Sequence, residues 1–189
     1  MSTENQSVCA VVVAAGSSRR MGGENKLLLP LCGKPVLAHT LTAFQMCGAV
    51  RDIVLVCREQ DMEVYRTLAA ENGITKLRTL TRGGDTRTES VLAGVSAASE
   101  ACALVAVHDG ARPLVSDEVI AQAVAEAAKT GAAAPVVPVK DSIKRIENGK
   151  IAADVPRDTL AAVQTPQVFR RDMLLHALLD AAAHGRSFT

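Results

Sequence analysis

Short apolar runs alternate with longer amphipathic stretches along this chain of 189 residues. The runs are rich in valine and alanine, end at glycine or polar residues, and are too short for an ordinary helix, so each predicts a buried strand. These strands are expected at residues 8–14, 53–57, 103–108 and 132–139. Helical spacing of apolar positions predicts helices at residues 35–47, 60–72, 86–98, 116–130 and 170–184.

The alternation of strand and helix predicts an α/β fold. Strands that are apolar on both faces need helices on each side, and parallel neighbours are joined by crossover helices. We therefore expect a three-layer sandwich built on a mostly parallel, Rossmann-like sheet. Ligands of such sheets bind at the carboxyl ends of the strands. We therefore expect the binding site at the loops after Ala14, Leu80 and His108.

Residues 140–163 break this alternation. Two short segments, 141–146 and 150–155, flank Asn148-Gly149, a dipeptide typical of tight hairpin turns. The pattern predicts a protruding two-stranded β-hairpin arm. An isolated hairpin is only marginally stable in water, so we expect the arm to pack against a second copy of the chain and to form a homodimer.

The composition of the chain argues against some kinds of partner and some cellular locations. The net charge is +1 and aromatic residues make up 2% of the chain, so neither charge nor stacking side chains favour nucleic acid as a partner. No apolar run is long enough to span a bilayer and the N-terminus lacks the features of a signal peptide, so a cytoplasmic protein with no membrane association is expected. The length fits one domain over residues 1–189, and the five scattered cysteines are typical of reduced core thiols.

The first predicted strand runs directly into a loop, residues 14–26, with the sequence AAGSSRRMGGENK. Small residues let backbone N–H groups approach phosphate oxygens, and Arg20 and Lys26 carry the charge to neutralise a triphosphate. The loop matches neither the P-loop pattern nor the three spaced glycines of dinucleotide-binding folds. A nucleotide-binding loop is the favoured interpretation, and a solvated loop with incidental cations is the alternative.

Longer motifs resemble those of a known family. The AAG and RRMG motifs, followed by Lys26 and a Gly-Lys-Pro turn, resemble the signature of the sugar-phosphate nucleotidyltransferases. Further segments resemble the 2-C-methyl-D-erythritol 4-phosphate cytidylyltransferase family in particular, namely GGDTR at 83–87, VHDGARP at 107–113, PVKDSIK at 138–144 and QTPQ at 164–167. These matches keep the family's order and imply the nucleotide-diphospho-sugar transferase type of fold.

The resemblance implies a transferase of the non-mevalonate (MEP) pathway of isoprenoid biosynthesis, which joins CTP to 2-C-methyl-D-erythritol 4-phosphate and releases pyrophosphate. It also implies Mg²⁺ as a cofactor with Asp109 as a ligand, because Mg²⁺ takes hard oxygen ligands from one or two carboxylates and from substrate phosphates. Without the family, Asp109-Gly110 is equally compatible with an ordinary turn. The acceptor phosphate is already anionic near neutral pH, so no general base is required.

The family's positions imply roles for individual residues of this chain. Arg20, Lys26 and Arg157 would be catalytic. The cytosine would be surrounded by Ala14, Ala15, Gly16, Gly84, Asp85 and Ser90, and the acceptor would meet Asp109, Arg112, Ser142, Lys144 and Arg157. The last three lie in the arm, and in the family this site is shared between two subunits, so dimerisation is expected to be part of catalysis. His108 is expected to be structural.

Two other functions are also compatible with the sequence. A ribitol 5-phosphate cytidylyltransferase would share the fold and the loop motifs, and only its acceptor distinguishes it. A catalytically silent nucleotide-binding module is the second alternative. Members of the family continue past the position that matches residues 187–189, so this chain is expected to lack the family's C-terminal segment, with weakened activity as the expected result.

Overall fold

The computed structural model describes residues 7–16 and 25–188 of the chain. Strands and helices alternate along these residues. The strands are β1 (Val8–Val13), β2 (Pro30–Leu31), β3 (Lys34–Pro35), β4 (Val50–Cys57), β5 (Leu77–Arg82), β6 (Leu104–Asp109), β7 (Ala132–Ala133), β8 (Val136–Pro138), β9 (Ile143–Glu147), β10 (Lys150–Val155), β11 (Ala161–Val163) and β12 (Gln167–Arg170). The helices are α1 (Val36–Met46), α2 (Met62–Glu71), α3 (Arg87–Ala97), α4 (Asp117–Thr130) and α5 (Arg171–Ala183), with 3₁₀ turns at Glu59–Asp61 and Arg157–Thr159.

Six of the strands form one sheet in the order β5-β4-β1-β6-β12-β7. The first four of these run parallel, whereas β12 pairs antiparallel with both β6 and β7. Parallel neighbours require crossover connections, and α1, α2 and α3 lie in the connections between the four parallel strands. The carboxyl ends of β1, β4, β5 and β6 therefore meet at one edge of the sheet.

Helices cover the sheet on both faces. On one face, Phe44 of α1 and Tyr65 of α2 join Val12 of β1 in a core cluster. On the other face, Val95 of α3 joins Val11 of β1, and α5 packs beside α3. Successive residues of a strand point to opposite faces, which is why β1 is a continuous run of apolar residues. The predicted three-layer α/β sandwich is confirmed.

Helix α3 lies very close to the sheet at Gly94. A Cβ atom at this position would lie 2.3 Å from Cγ1 of Val11 and 2.6 Å from Cγ2 of Val56, which is closer than non-bonded carbon atoms approach. The first turn of α3 is also held at Thr88, whose Oγ1 donates to the carbonyl of Phe188 (2.9 Å) and accepts from its N–H (2.8 Å). The position of α3 relative to the sheet is therefore fixed by close contacts.

One predicted strand is wrong. The run at residues 132–139 splits into β7, which joins the main sheet, and β8, which is exposed and pairs with β11. Pro135, between the two strands, lacks the N–H that a central strand must donate, which explains the break. The apolar-run criterion gives no bounds for two further strands of the main sheet, β5 and β12, because β5 has only two leucines among polar residues and β12 has only four residues.

The predicted β-hairpin is present. β9 and β10 pair antiparallel across Asn148 and Gly149, whose φ angles of 51° and 75° both lie in the left-handed region that a type I′ turn requires. The antiparallel pair β8 and β11 forms its base. Apolar side chains of the hairpin and base are exposed, namely Val136, Val137, Ile146, Ile151 and Val163. With this base, the arm extends over residues 136–163 in the structure, and the term is used for that range from here on. A group of exposed apolar side chains of this kind is typical of an interaction surface.

The cysteines lie mostly in the core, as the sequence predicts. All five are described and carry free thiols; Cys9, Cys47, Cys57 and Cys102 are buried, and Cys32 is exposed. Burial raises the pKa of Cys9 to about 12 and that of Cys57 to about 11, so both thiols stay protonated at neutral pH. Among the helices of residues 7–16 and 25–188, none combines the length and apolar character needed to cross a membrane.

Candidate active site

A cleft of about 1150 Å³ opens at the carboxyl edge of the parallel strands. Its walls come from the segments that follow β1, β4, β5 and β6, as the topology of the sheet predicts. The lining residues are 13–16, 26–27, 58–60, 82–87, Ser90 and 109–112. A cleft of this size is large enough for a ligand the size of a nucleotide.

Two glycines make the turn between β5 and α3. A Cβ atom on Gly83 would lie 2.5 Å from Cβ of Ala15 and 2.8 Å from Oγ of Ser90. A Cβ atom on Gly84 would lie 2.3 Å from Cβ of Glu89 and 2.6 Å from its Oε2. Only glycine fits at either position, and the backbone of the turn lies open to the cleft as a result.

A capping box fixes the first turn of α3. Oγ1 of Thr86 accepts from the N–H of Glu89 (3.1 Å), and Oε2 of Glu89 accepts from the N–H groups of Thr86 (3.0 Å) and Asp85 (2.7 Å). The buried Ser90 hydroxyl donates to the carbonyl of Gly84 (3.4 Å). The turn that carries Gly84, Asp85 and Ser90 is thus held rigidly at the cleft wall.

All six residues implied for the base lie together in this cleft. Three follow β1 and three belong to the β5–α3 turn and helix: Ala14, Ala15, Gly16, Gly84, Asp85 and Ser90. The backbone N–H of Ala14 donates to the carbonyl of Val56 (2.7 Å), which ties the end of β1 to the neighbouring strand. The structure therefore brings together two sequence segments that are about 70 residues apart.

Lys26 lies in the same cleft. Its neighbour Asn25 anchors the segment: Oδ1 accepts from the N–H of Leu27 (3.2 Å) and Nδ2 donates to the hydroxyl of Tyr65 (2.9 Å). Tyr65 is fully buried, and burial raises its pKa to about 12. Lys26 is therefore attached to a fixed point of the core, whereas Arg20, the other cation predicted for this loop, lies outside the described residues.

Asp109 lies between two arginines at the end of β6. Its Oδ1 accepts from Nη2 of Arg87 (3.3 Å) and its Oδ2 accepts from Nε of Arg112 (2.9 Å). Partial burial alone would raise the pKa of this carboxyl, but the hydrogen bond from Arg112 and the charges of both arginines outweigh it and lower the pKa below its usual value. Asp109 is therefore ionised at neutral pH.

The chemistry of Asp109 fits a magnesium ligand. Mg²⁺ in phosphate-handling sites binds through one or two carboxylates and takes its remaining oxygens from substrate and water. A carboxylate has about four lone-pair sites, so Asp109 can accept from both arginines and still coordinate a cation. The described residues contain no group of three or more His, Cys, Asp or Glu side chains placed to hold a metal by themselves.

His108 is buried and does not line the cleft. Its Nε2 lies 3.1 Å from the carbonyl of Arg112 and its Nδ1 lies 2.9 Å from Oγ1 of Thr165. Burial lowers the pKa of His108 to about 4, so the ring is neutral at neutral pH. These contacts agree with the structural role predicted for this residue.

The sequence matches a known family along nearly its entire length. The profile of the 2-C-methyl-D-erythritol 4-phosphate cytidylyltransferase (IspD) family covers residues 8–189. The chain belongs to this family. A 2-C-methyl-D-erythritol 4-phosphate cytidylyltransferase of Dehalococcoides mccartyi is 43% identical over 174 residues, which are 92% of this chain and 76% of that protein. The one from Bacillus licheniformis is 44% identical over 176 residues, 93% of this chain and 76% of that protein.

Solved structures of cytidylyltransferases share the fold. The 4-diphosphocytidyl-2C-methyl-D-erythritol synthase of Anaerococcus prevotii superposes with a TM-score of 0.87 at 26% identity, covering 98% of this chain and 79% of that one. The 2-C-methyl-D-erythritol 4-phosphate cytidylyltransferase of Thermus thermophilus gives a TM-score of 0.73 at 30% identity, covering 95% of this chain and 79% of that one. The predicted nucleotidyltransferase fold is confirmed.

The arm residues implied by the cytidylyltransferase family do not line the cleft of their own chain. Lys144 forms an ion pair with Asp154 across the hairpin. Arg157 donates from Nη1 to the carbonyl of Lys140 (2.8 Å), and Ser142 is exposed. One chain by itself therefore does not bring Ser142, Lys144 and Arg157 to Asp109 and Arg112.

Several cleft residues carry charge that the motif comparison with the cytidylyltransferases did not assign. Arg87 contacts Asp109 directly. Its position as the last residue of the GGDTR motif is the sequence signal that could have identified it. Arg58 and Arg82 line the wall of the cleft at the ends of β4 and β5, where Arg82 pairs with Glu59 at 3.4 Å. Arg58 directly follows β4, and the position of a cation at the carboxyl end of a parallel strand could have identified it.

Proposed function

We propose that this chain transfers the cytidylyl group of CTP to 2-C-methyl-D-erythritol 4-phosphate, giving 4-diphosphocytidyl-2-C-methyl-D-erythritol and pyrophosphate in the MEP pathway. One observation carries the proposal beyond family membership. The cleft joins a glycine-rich turn, suited to close backbone contact with a base, to an end where Arg87 and Arg112 contact the carboxylate of Asp109, and Lys26 adds a further cation to the lining. This combination suits a nucleoside triphosphate with a second anionic substrate.

The base end would hold cytosine through short side chains and backbone groups. Ala14, Ala15 and Gly16 would lie on one side of the ring and Gly84, Asp85 and Ser90 on the other. The backbone of the β5–α3 turn can read the polar edge of the base because no side chain covers Gly83 or Gly84. A slot shaped for a one-ring base excludes purines by its size.

The phosphate end would carry the chemical step. An oxygen of the acceptor phosphate attacks the α-phosphorus of CTP and forms the new P–O bond. The bond from the α-phosphorus to the bridging oxygen breaks, and pyrophosphate leaves with that electron pair. Positive charges of Arg20 and Lys26 would stabilise the charge that builds on the phosphate oxygens, and this electrostatic stabilisation is the main catalytic contribution in phosphoryl-type transfers.

Mg²⁺, when bound, would neutralise and orient the phosphates, with Asp109 as its protein ligand. Arg87 and Arg112 hold Asp109 ionised and fixed in direction, so the carboxylate would be ready for the cation without rearrangement. No residue of the described cleft needs to take a proton from the acceptor, because a phosphate monoester is anionic near neutral pH.

The acceptor site would be completed by a second subunit. Asp109 and Arg112 lie in the cleft, whereas Ser142, Lys144 and Arg157 lie on the arm. An arm with exposed Ile146 and Ile151 needs a covering surface, and in a symmetric homodimer each arm would reach the cleft of its partner. Dimerisation would then assemble the site rather than merely stabilise the fold.

The test is pyrophosphate release from CTP and Mg²⁺ with either 2-C-methyl-D-erythritol 4-phosphate or ribitol 5-phosphate as the acceptor. We expect release with the first acceptor only, a loss of rate on chelation of the metal, and a decrease in kcat/KM of about 100-fold or more in Lys26→Ala. Lys129→Ala, on the exposed face of α4, is the matched control. Release with ribitol 5-phosphate alone, or CTP binding without release for either acceptor, would reject the proposed reaction.

A further inference from the structure

Two consecutive residues, Gln164 and Thr165, fix the position of Arg112. Gln164 contacts its side chain directly, and Thr165 acts on its backbone through His108. They lie in the short connection between β11 and β12. Oε1 of Gln164 accepts from Nη1 of Arg112 over 2.7 Å, which fixes the guanidinium. Oγ1 of Thr165 contacts Nδ1 of His108 (2.9 Å), and Nε2 of the same ring contacts the carbonyl of Arg112 (3.1 Å), which fixes the backbone.

The chemistry of these groups determines the direction of each hydrogen bond. The carbonyl of Arg112 can only accept, so Nε2 of His108 carries the proton. Nδ1 of the neutral ring is then an acceptor, and the hydroxyl of Thr165 donates to it. His108 and Thr165 are buried, and the ring of Phe44 packs edge-on against the imidazole at 4.9 Å. The hydrogen bonds from Thr165 through His108 therefore hold the backbone of Arg112 in place.

Gln164 is fixed in turn to the base of the arm. Its N–H donates to the carbonyl of Pro135 (2.8 Å), and its Nε2 contacts the carbonyl of Ala162 (3.3 Å). Pro135 directly precedes β8 and Ala162 lies in β11, the two strands that form that base. A displacement of the arm would thus move Gln164 and, through it, the guanidinium of Arg112.

Arg112 keeps hydrogen-bonding capacity for a ligand. A guanidinium has five N–H donors in a planar fork. Asp109 accepts from Nε and Gln164 accepts from Nη1, and these two contacts define the plane of the group. Part of the fork stays available, and 45% of the side chain is exposed to the cleft and solvent, so an anion can reach it.

We propose that Gln164 is a positioning residue for the acceptor phosphate. It orients the guanidinium of Arg112 and couples that orientation to the arm, which places a residue outside the cleft in control of the acceptor site. The inference rests on the proposed function, because it takes the acceptor phosphate as the ligand of Arg112.

Steady-state kinetics with Gln164→Met and Gln164→Glu test the proposal. Met keeps the size and removes the acceptor, so we expect KM for 2-C-methyl-D-erythritol 4-phosphate to rise about tenfold, the usual effect of losing one hydrogen bond to a charged group, while KM for CTP stays within about twofold. Glu keeps an acceptor for Arg112 but loses the donor to Ala162 and adds a negative charge, so it should restore only part of the affinity. Gln122→Met, on the exposed face of α4, is the matched control.

A double-mutant cycle separates positioning from a general loss of structure. If Gln164 acts through Arg112, then Gln164→Met has no further effect on the acceptor KM in an Arg112→Ala background. An undiminished effect in that background, or an equal rise in KM for CTP, would overturn the proposal.

A measurement without turnover distinguishes this inference from the proposed function. In protein labelled with ¹⁵N-arginine, NMR exchange should show slow rotation of the Arg112 guanidinium, assigned by its loss in Arg112→Lys, and faster rotation in Gln164→Met. Fast rotation in the wild-type protein would overturn the positioning role even if the enzyme is active. Slow rotation without any turnover of the acceptor would instead reject the proposed function, and the acceptor-positioning role with it.

Discussion

Arg87 donates from Nη2 to Oδ1 of Asp109 over 3.3 Å and joins the first turn of α3 to the carboxyl end of β6. Helix α3 also carries Ser90, at the end of the cleft assigned to the base. The ion pair therefore connects the two ends of the cleft. One end lies on α3 and the other at the end of β6, and only folding brings these two segments together. Because both side chains are about one-third exposed, the pair matters more for orientation than for stability.

Replacement of Arg87 by Met should lower kcat/KM about tenfold, since it removes a cation from the phosphate end and one of the two groups that orient Asp109. The free energy of unfolding should change by less than about 1 kcal/mol, because the pair is partly exposed. Pyrophosphate release and urea denaturation measure the two quantities. Arg66→Met, an exposed arginine on α2, is the control. Unchanged kinetics in Arg87→Met would show that Arg112 alone is sufficient.

Replacement of Gly84 by Ala should damage the base site. Its Cβ would lie 2.3 Å from Cβ of Glu89, so the capping box must shift, at a cost of about 1 to 3 kcal/mol in stability. The KM for CTP should rise more than the KM for the acceptor. Gly48→Ala is the matched control, because no atom lies within 4 Å of a Cβ at that position. Equal behaviour of the two variants would contradict the close packing described for the β5–α3 turn.

Tyr65 predicts a specific loss of stability at alkaline pH. Burial raises its pKa to about 12, above the ordinary value of 10.0, so the folded protein retains the phenol proton that the unfolded chain releases. The resulting stability is fully present below pH 10 and is lost as the pH rises toward 12, by about 2 to 3 kcal/mol in total. Urea denaturation between pH 9 and 11 should show a steeper decline for the wild type than for Tyr65→Phe. Parallel declines would show that the phenol does not titrate with folding.

The arm predicts a dimer that depends on two cross-strand isoleucines. Ile146 and Ile151 are directly opposite each other in the hairpin, and 58% and 68% of their surfaces are exposed. Replacing both with Glu should shift the protein from dimer to monomer in sedimentation experiments at micromolar concentration and should lower turnover in parallel. Met46→Glu, a similarly exposed apolar residue at the end of α1, should leave the dimer intact. A wild-type protein that sediments as a monomer would refute the shared site.

The sequence predicted the buried elements well because burial on both faces leaves a simple pattern. β1, β4 and β6 each contain an uninterrupted run of four or more apolar residues, and their bounds agree with prediction to within a few residues. The pattern fails where burial is incomplete. β5 lies at the edge of the sheet and is mostly polar, and the run at 132–139 contains apolar residues that lie on the exposed β8. Hydrophobicity alone does not distinguish a core strand from an interaction surface.

The candidate site was predictable mainly where a motif names the residue. Ala14, Gly84, Ser90 and Asp109 follow from motifs and lie in one cleft, as expected. Contacts between segments leave no such signal: the hydrogen bond of Arg112 to Gln164 joins residues 52 positions apart. The contribution proposed for the arm follows from family resemblance and not from one chain's geometry, because its residues do not reach the cleft of their own chain.

The tight seat of α3 at Gly94 has a consequence for how nucleobase choice can change. Since no side chain at position 94 separates the helix from Val11 and Val56, this buried contact sets how far Asp85 and Ser90 stand from the opposite wall. A larger residue there would lift the helix and widen the slot that we propose for the base. Divergence in nucleotide preference can therefore begin inside the core, while every side chain in contact with the nucleotide stays unchanged.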